Sequence, residues 1–373
     1  MKILLVTDVF NSGGREKTIA DLANNLLIDG HDVTILILDG SEADYLVNVD
    51  SGVSFKKLKV LNDGKISVNP ISYYKLGAFL RGNKPDVIHY HLYAFRFLIC
   101  SFISKLFRVS ASQIRTVHTS GLFYEKQSTL VDKVRLNSEV IATKINNIAS
   151  IGISKLIHEN NIKYFSCASE HFFHVYNGLE LSQYSHAADK SVDEKIVFVY
   201  LARLVTGKNH CFLIDVWYDF IKEHCNAVLL IVGDGDLRNS IKEKIEHLGL
   251  QDSVILQGHS FEVSNILTHS DVALFPSSYE GFSISLLEYF ASSLPVVAHD
   301  ISAFREVGIH GYNIYLVSLF DKDGFLKYMS LLYNDAELRK KIGECARETV
   351  ENFKVEKFVS EHIDIYKKMI ERV

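Results

Sequence analysis

The chain has 373 residues, about twice an ordinary single domain, so two domains are expected. Apolar residues make up 47% and charged residues 23%, which supplies a real core and excludes a disordered chain. The formal net charge of −5 excludes a polycation built to hold nucleic acid. Residues 1–190 carry 21 Lys+Arg against 18 Asp+Glu and the remainder 19 against 27, so a first half at +3 precedes a second at −8, as two bodies with different partners would.

The elements follow in chain order. Lys2–Val6 is an apolar run that reads as a first strand and is too short for a signal peptide. After the turn Asn11-Ser12-Gly13-Gly14, Ile19, Leu22, Ala23, Leu26 and Leu27 recur at helical spacing, and Gly30 closes that helix. Val33–Leu38 is the next strand, and strand, crossover helix, strand implies a parallel sheet. Asp86–His91, Arg115–His118 and Ile148–Ile153 continue it. The polar stretch from Ser182 to Lys195 reads as a linker. The pattern then restarts with Ile196–Leu201, a helix from about Lys208, Ala227–Val232 ending in Gly233-Asp234-Gly235, then Ser253–Leu256, Val272–Phe275 and Pro295–Ala298. Val355, Phe358, Val359, Ile363, Tyr366 and Ile370 give a last amphipathic helix.

The five cysteines, Cys100, Cys167, Cys211, Cys225 and Cys345, are odd in number and never spaced as CxxC, which fits free thiols in a reducing compartment. No run approaches the roughly 18 apolar residues of a spanning helix. A cytoplasmic location is expected, with peripheral attachment to the inner face of a membrane as its variant. That variant comes from residues 92–108, where Leu92, Phe95, Leu98, Ile99, Phe102, Ile103, Leu106 and Phe107 give a broad apolar face punctuated by Arg96, Lys105 and Arg108. A basic apolar helix can lie on an anionic membrane; burial against the sheet is the commoner use of such a face.

Two segments carry the chemistry. Pro276 to Glu288 follows the strand Val272–Phe275 and opens a helix with Ser283 as N-cap, placing Glu280 in the loop and Glu288 about one turn into the helix. In a parallel sheet this is the carboxyl end of a strand, where ligands bind, and a helix start favours an anion. The second segment, Ala202 to Asn209, sends Arg203 and Lys208 from a strand end, a forked and a mobile cation suited to a diphosphate. His118 stands alone at a strand end, and His89 and His91 share a strand face; residue type alone favours structural roles for all three. Gly13-Gly14 lacks the nicotinamide-binding G-x-G-x-x-G spacing.

The order of these segments resembles the retaining glycosyltransferases of family 4. The family's Glu-x7-Glu matches Glu280 and Glu288, and its Gly-Arg-Leu with a Lys-Asn pair matches Arg203, Leu204, Lys208 and Asn209, with Ala202 in place of the glycine. Gly13-Gly14-Arg15-Glu16, Gly30-His31-Asp32-Val33, Pro85 to His91, Thr116-Val117-His118, Val175-Tyr176-Asn177-Gly178 and Gly233-Asp234-Gly235 extend the likeness from residue 1 to about 310.

The resemblance implies an α/β protein of the GT-B fold, two Rossmann-like doubly wound parallel-sheet domains facing across a cleft. The acceptor-side domain spans 1–180 and takes back the C-terminal helix 356–373; the donor-binding domain spans 190–355. The implied reaction moves a hexose-type sugar from a nucleotide diphosphate sugar, UDP-linked before GDP-linked, to a hydroxyl of a glycan or lipid-linked acceptor in bacterial surface polysaccharide synthesis. Glu288 would bind the ribose, Glu280 the transferred sugar with the Gly281 and Phe282 backbone, and Arg203 and Lys208 the diphosphate. Gly14 would admit the phosphate to the first domain, and His118 would sit near sugar and acceptor. No metal or other cofactor is called for, and no nucleic acid partner. A sugar-nucleotide epimerase of the same fold and a non-catalytic scaffold subunit are the alternatives; four intact site residues speak against the second.

Overall fold

The computed structural model describes residues 1–11, 13–40, 43–62, 65–118, 129–185 and 195–372. The chain divides into two compact units, one made of Met1–Gly178 with Val355–Val373, the other of Leu179–Lys354.

The first unit is built on an eight-stranded sheet of β1 (Lys2–Thr7), β2 (Asp32–Asp39), β3 (Ser54–Asn62), β4 (Lys65–Ile66), β5 (Val87–His91), β6 (Ser112–Val117), β7 (Ala149–Gly152) and β8 (Phe172–His174). The spatial order is β4-β3-β2-β1-β5-β6-β7-β8, parallel except where β4 folds back on β3. Ile3 lies opposite both Val33 and Val87, so β1 is central and its Ile3–Val6 run is buried on both faces. On one face Ile3, Leu5 and Ile35 meet Ile19, Leu22 and Leu26 of the helix Gly14–Ile28. On the other, Leu4, Val6 and Ile88 meet Leu76, Leu80 and Phe97.

The first face is finished by the far end of the chain. The helix Val355–Ile370 inserts Val355, Phe358, Val359, Ile365, Tyr366 and Met369 into that cluster, leaving Ile363 and Ile370 at its rim. The buried stripe is thus rotated slightly from the sequence expectation and takes in His362 as well. Each fully buried side chain of this size is worth about 1.5–3 kcal/mol against solvent, so the helix is part of the unit's core.

The second unit holds β9 (Ile196–Leu201), β10 (Ala227–Val232), β11 (Val254–Gly258), β12 (Val272–Phe275), β13 (Val296–His299) and β14 (Tyr315–Val317), all parallel in the order β11-β10-β9-β12-β13-β14. Phe198 on β9 packs edge-on against Trp217 and Phe220 of the helix His210–Glu223, at ring separations of 5.5 and 5.1 Å. The polar stretch read as a linker begins inside this unit, because Tyr184 is buried there; residues 186–194 lie outside the described residues. The chain passes from the first unit to the second at Gly178/Leu179. Leu179 donates to the Phe353 carbonyl at 2.9 Å, so the outgoing and returning segments are paired within the second unit.

Candidate active site

In each sheet the strand order reverses once, between β1 and β5 in the first unit and between β9 and β12 in the second. Loops leaving the carboxyl ends of strands on either side of such a reversal diverge and leave a ligand-sized crevice. The donor residues singled out from the sequence and Gly14 follow strands at these two places, and His118 follows β6, one strand away from the first.

In the second unit the loop after β9 is laid against the loop after β10. Leu204 donates to the Asp234 carbonyl at 2.9 Å and Leu237 donates to the Leu204 carbonyl at 3.0 Å. The approach is so close that a Cβ on Gly233 would sit 2.0 Å from the Ala202 oxygen, and one on Gly235 2.6 Å from the Leu204 oxygen. Both glycines also hold positive φ, which explains why Gly-x-Gly follows this strand. Arg203 is exposed on this fixed loop, and no ion-pair partner is recorded for it among the described residues.

Lys208 is fixed by its backbone. Tyr200 donates its hydroxyl to the Lys208 carbonyl at 2.7 Å, Ser278 donates to the Gly207 carbonyl at 3.2 Å, and Asn209 donates its side-chain amide to the Pro276 carbonyl at 2.7 Å. Those bonds stitch the post-β9 loop to the post-β12 loop and bring Lys208 Nζ onto the Glu280 carboxylate as an ion pair. The two side chains are 19% and 12% exposed, so the pair is sheltered and each charge depends on the other.

Ser283 caps the helix Ile284–Ala291, its Oγ accepting from Leu286 N–H at 3.2 Å. Glu288, in that helix, is buried and accepts a 2.8 Å hydrogen bond from the Tyr184 hydroxyl on Oε1. The next residue, Tyr289, links the helix to β9 by accepting from Leu201 N–H at 2.6 Å. Burial raises the Tyr289 phenol well above its ordinary range, and the charges of Glu288 and Glu280 push it the same way. One side chain therefore senses both carboxylates. Burial lowers His210 to about 4, with the Lys208 charge adding to the effect. Gly281 is half-buried, and Phe282 is buried with its ring 5.8 Å from that of Phe353.

In the first unit Gly14 is the first residue of its helix, and its carbonyl accepts from Thr18 Oγ1 at 2.9 Å. Beside it the structure adds residues that sequence reading did not single out for the site. Arg15 spans Asp8, at 2.8 Å, and Glu16, at 2.6 Å, and Arg96 bonds the other Asp8 oxygen. Asp8 directly follows β1, and that position at a central strand's carboxyl end was the signal available. His118 directly follows β6, its Nε2 2.8 Å from Nδ1 of His91. His89 bonds Tyr366 and Thr116, each at 2.7 Å, in keeping with the structural role read for it. Burial lowers His89, His91 and His118 well below the usual histidine range, and Arg15 reinforces this for His91 and His118.

The segment 92–108 forms the helix Ala94–Leu106, which buries Phe97, Cys100 and Ile103 and exposes Phe95, Phe102 and Leu106. It packs beside the helix Leu130–Ile145, which exposes Leu130, Val131, Val134 and Ile141. Arg96 departs from the expected outward cation, because Asp8 draws it inward; Lys105 and Arg108 remain exposed. No helix among the described residues is long and apolar enough to cross a membrane.

Two family models match successive parts of the chain, "Glycosyltransferase Family 4" over residues 12–183 and "Glycosyl transferases group 1" over 183–349. An N-acetyl-alpha-D-glucosaminyl L-malate synthase of Bacillus anthracis is 25% identical, over 85% of this chain and 87% of its own length. An Escherichia coli UDP-Gal:alpha-D-GlcNAc-diphosphoundecaprenol alpha-1,3-galactosyltransferase is 26% identical, over 80% and 79%. Among solved structures, Anabaena HepE in complex with UDP and glucose superposes with a TM-score of 0.81 at 16% identity, covering 98% of this chain and 99% of the other. The pneumococcal O-GlcNAc transferase GtfA in complex with UDP and GlcNAc gives 0.81 at 14% identity, covering 99% of each.

Proposed function

The chain belongs to the glycosyltransferases and has the GT-B fold, and we propose that it moves a hexose-type sugar from a UDP-sugar to a hydroxyl of a glycan or lipid-linked acceptor, with retention at the anomeric carbon. The observation that carries the reading is the sheltered Lys208–Glu280 pair beside buried Glu288, at the point where the second sheet reverses its strand order.

Breaking a sugar–phosphate bond builds negative charge on the departing diphosphate. Lys208, freed from Glu280 as ligand enters, and exposed Arg203 neutralise that charge from loops whose backbones are already tied in place. Glu280 turns to the sugar, with backbone groups of Gly281 and Phe282 beside it. Glu288, held by Tyr184, accepts from the ribose hydroxyls. Gly14 and His118 serve from the first unit, toward phosphate and toward sugar and acceptor respectively. Two relatives' names point to acceptor chemistry of the same kind: one is a galactosyltransferase acting on a GlcNAc-diphosphoundecaprenol, another an amylovoran biosynthesis glycosyltransferase of Erwinia amylovora.

A lipid-linked acceptor is reached at a membrane surface. The exposed apolar residues of the helices Ala94–Leu106 and Leu130–Ile145, with Lys105, Arg108, Lys133 and Lys144 exposed on and beside them, suit peripheral contact with anionic lipid. Isothermal calorimetry with UDP and GDP tests the donor site. UDP binding that weakens in Lys208→Ala and Glu288→Ala is the expected result; affinities unchanged in both overturn the assignment. Product analysis with labelled donor, with and without acceptor, separates transfer from epimerisation.

A further inference from the structure

His118 is joined to the first unit's core by a line of imidazoles. Tyr366 of the terminal helix bonds His89, the His89 ring lies 4.2 Å from that of His91, and His91 bonds His118. We propose that His91 is a positioning residue that fixes the tautomer of His118, so that His118 meets sugar or acceptor as an Nδ1–H donor and not as a proton-accepting base. This rests on the place given to His118 in the reaction above.

One proton lies between His91 Nδ1 and His118 Nε2, which are 2.8 Å apart. The other nitrogen of His91, Nε2, is buried and has no partner among the described residues. If His118 donated, a neutral His91 would carry its own proton on Nε2, leaving a buried N–H unpaired. If His91 donates from Nδ1, only a lone pair is left bare. Orphaned buried N–H groups are the rarer and more penalised of the two, so His91 donates. His118 then has Nε2 occupied as an acceptor and holds its proton on Nδ1. Both rings stay neutral, since burial first disfavours protonation of each and the Arg15 charge works in the same direction on both, joined by Arg115 for His118. The His91 ring cannot readily turn away. It ends β5 and packs at a tilt against His89, whose two nitrogens are bonded to Tyr366 and Thr116.

Nitrogen-15 NMR of the histidine-labelled full chain, without substrate, reads the tautomer directly. The expected result is a neutral His118 with Nδ1 protonated and Nε2 bare between pH 6 and 8. His91→Asn keeps an N–H close to the position of Nδ1, and His91→Leu removes it. The Leu variant is expected to show mixed His118 tautomers and to lower kcat about tenfold, with KM for the donor changed by no more than about twofold, and the Asn variant to recover most of the loss. If the Leu variant fails to fold, judged by its melting curve, the wild-type spectrum and the Asn variant still decide. An Nε2–H tautomer in the wild type overturns the proposal, as does a Leu variant with unchanged tautomer and kcat. A His118→Ala variant with normal turnover, beside an Nδ1–H signal in the wild type, defeats the reaction reading while the pairing stands.

Discussion

The two units place their polar groups by opposite means. In the second, three of the groups argued to bind donor, Arg203, Lys208 and Glu280, sit on two short loops, and Lys208 and Glu280 face each other because Asn209, Tyr200 and Ser278 tie those loops together through the backbone. In the first, residues 8, 15, 91, 96, 118, 362 and 366 converge from six places in the chain, and a row of neutral imidazoles lies beside the Asp8–Arg15–Arg96 ion pairs. A site held by loop backbones can exchange its side-chain partners when ligand arrives. A site held by buried side-chain contacts is stiff, and its weakness is acid.

That contrast can be broken most forcefully by pH. His362 in the first unit and His210 in the second are each lowered by burial to about 4. A histidine whose folded value lies below the unfolded value near 6.5 leaves stability intact above that pH. Stability is lost as pH falls from there toward 4, because the unfolded chain takes up the proton first. Each contributes on the order of 3 kcal/mol over that window. The second unit adds His224 and His299, lowered mainly by burial, and the first adds His89, His91 and His118, each pushed well below the usual histidine range. Calorimetric scans at pH 7 and pH 5 are expected to show the first unit's transition fall further than the second's; equal falls would erase the distinction.

Next in size, Lys208→Ala is expected to lower kcat by about 10²–10³, the loss typical of a transition-state charge stabiliser, as read by steady-state transfer assays. Combined with Glu280→Ala, the loss is expected to be far from additive, because the two charges are partners in the free enzyme. Glu288→Ala is expected to weaken UDP binding roughly 10- to 100-fold by calorimetry, the worth of charge-assisted hydrogen bonds. His118→Ala is expected to reduce kcat about 10- to 100-fold with little change in UDP affinity, which places its effect in the first unit alone. The smallest expected effect is that of Tyr184→Phe, which removes one 2.8 Å bond to Glu288 and should weaken UDP binding by about 1 kcal/mol.

What the sequence shows follows the same division. β1, β2, β9, β10 and β12 are legible because strands buried on both faces must be unbroken apolar runs. β3 escapes notice because Ser54, Phe55, Lys56 and Lys57 face solvent beside the sheet's edge, and β4, β8 and β14 are two or three residues long, too short for any period. Arg203, Lys208, Glu280 and Glu288 are legible because loop and helix start carry them in contiguous segments. Tyr184 is hidden by polar neighbours that read as linker. Arg96 is hidden because only tertiary contact joins it to Asp8, and its inward turn is decided by Asp8, not by its place on an apolar helix.

The returning helix Val355–Ile370 has a consequence for biogenesis. The first unit is begun first and finished last, with the 176 residues of Leu179–Lys354 made in between. At ribosomal rates of about 5–20 residues per second, its sheet waits roughly ten to thirty-five seconds for Phe358, Val359 and Tyr366 to cover one face. During that interval the nascent chain exposes an apolar layer to chaperones and to neighbouring polypeptides. A premature stop at residue 355 would leave the second unit's residues complete and the first unit permanently uncovered.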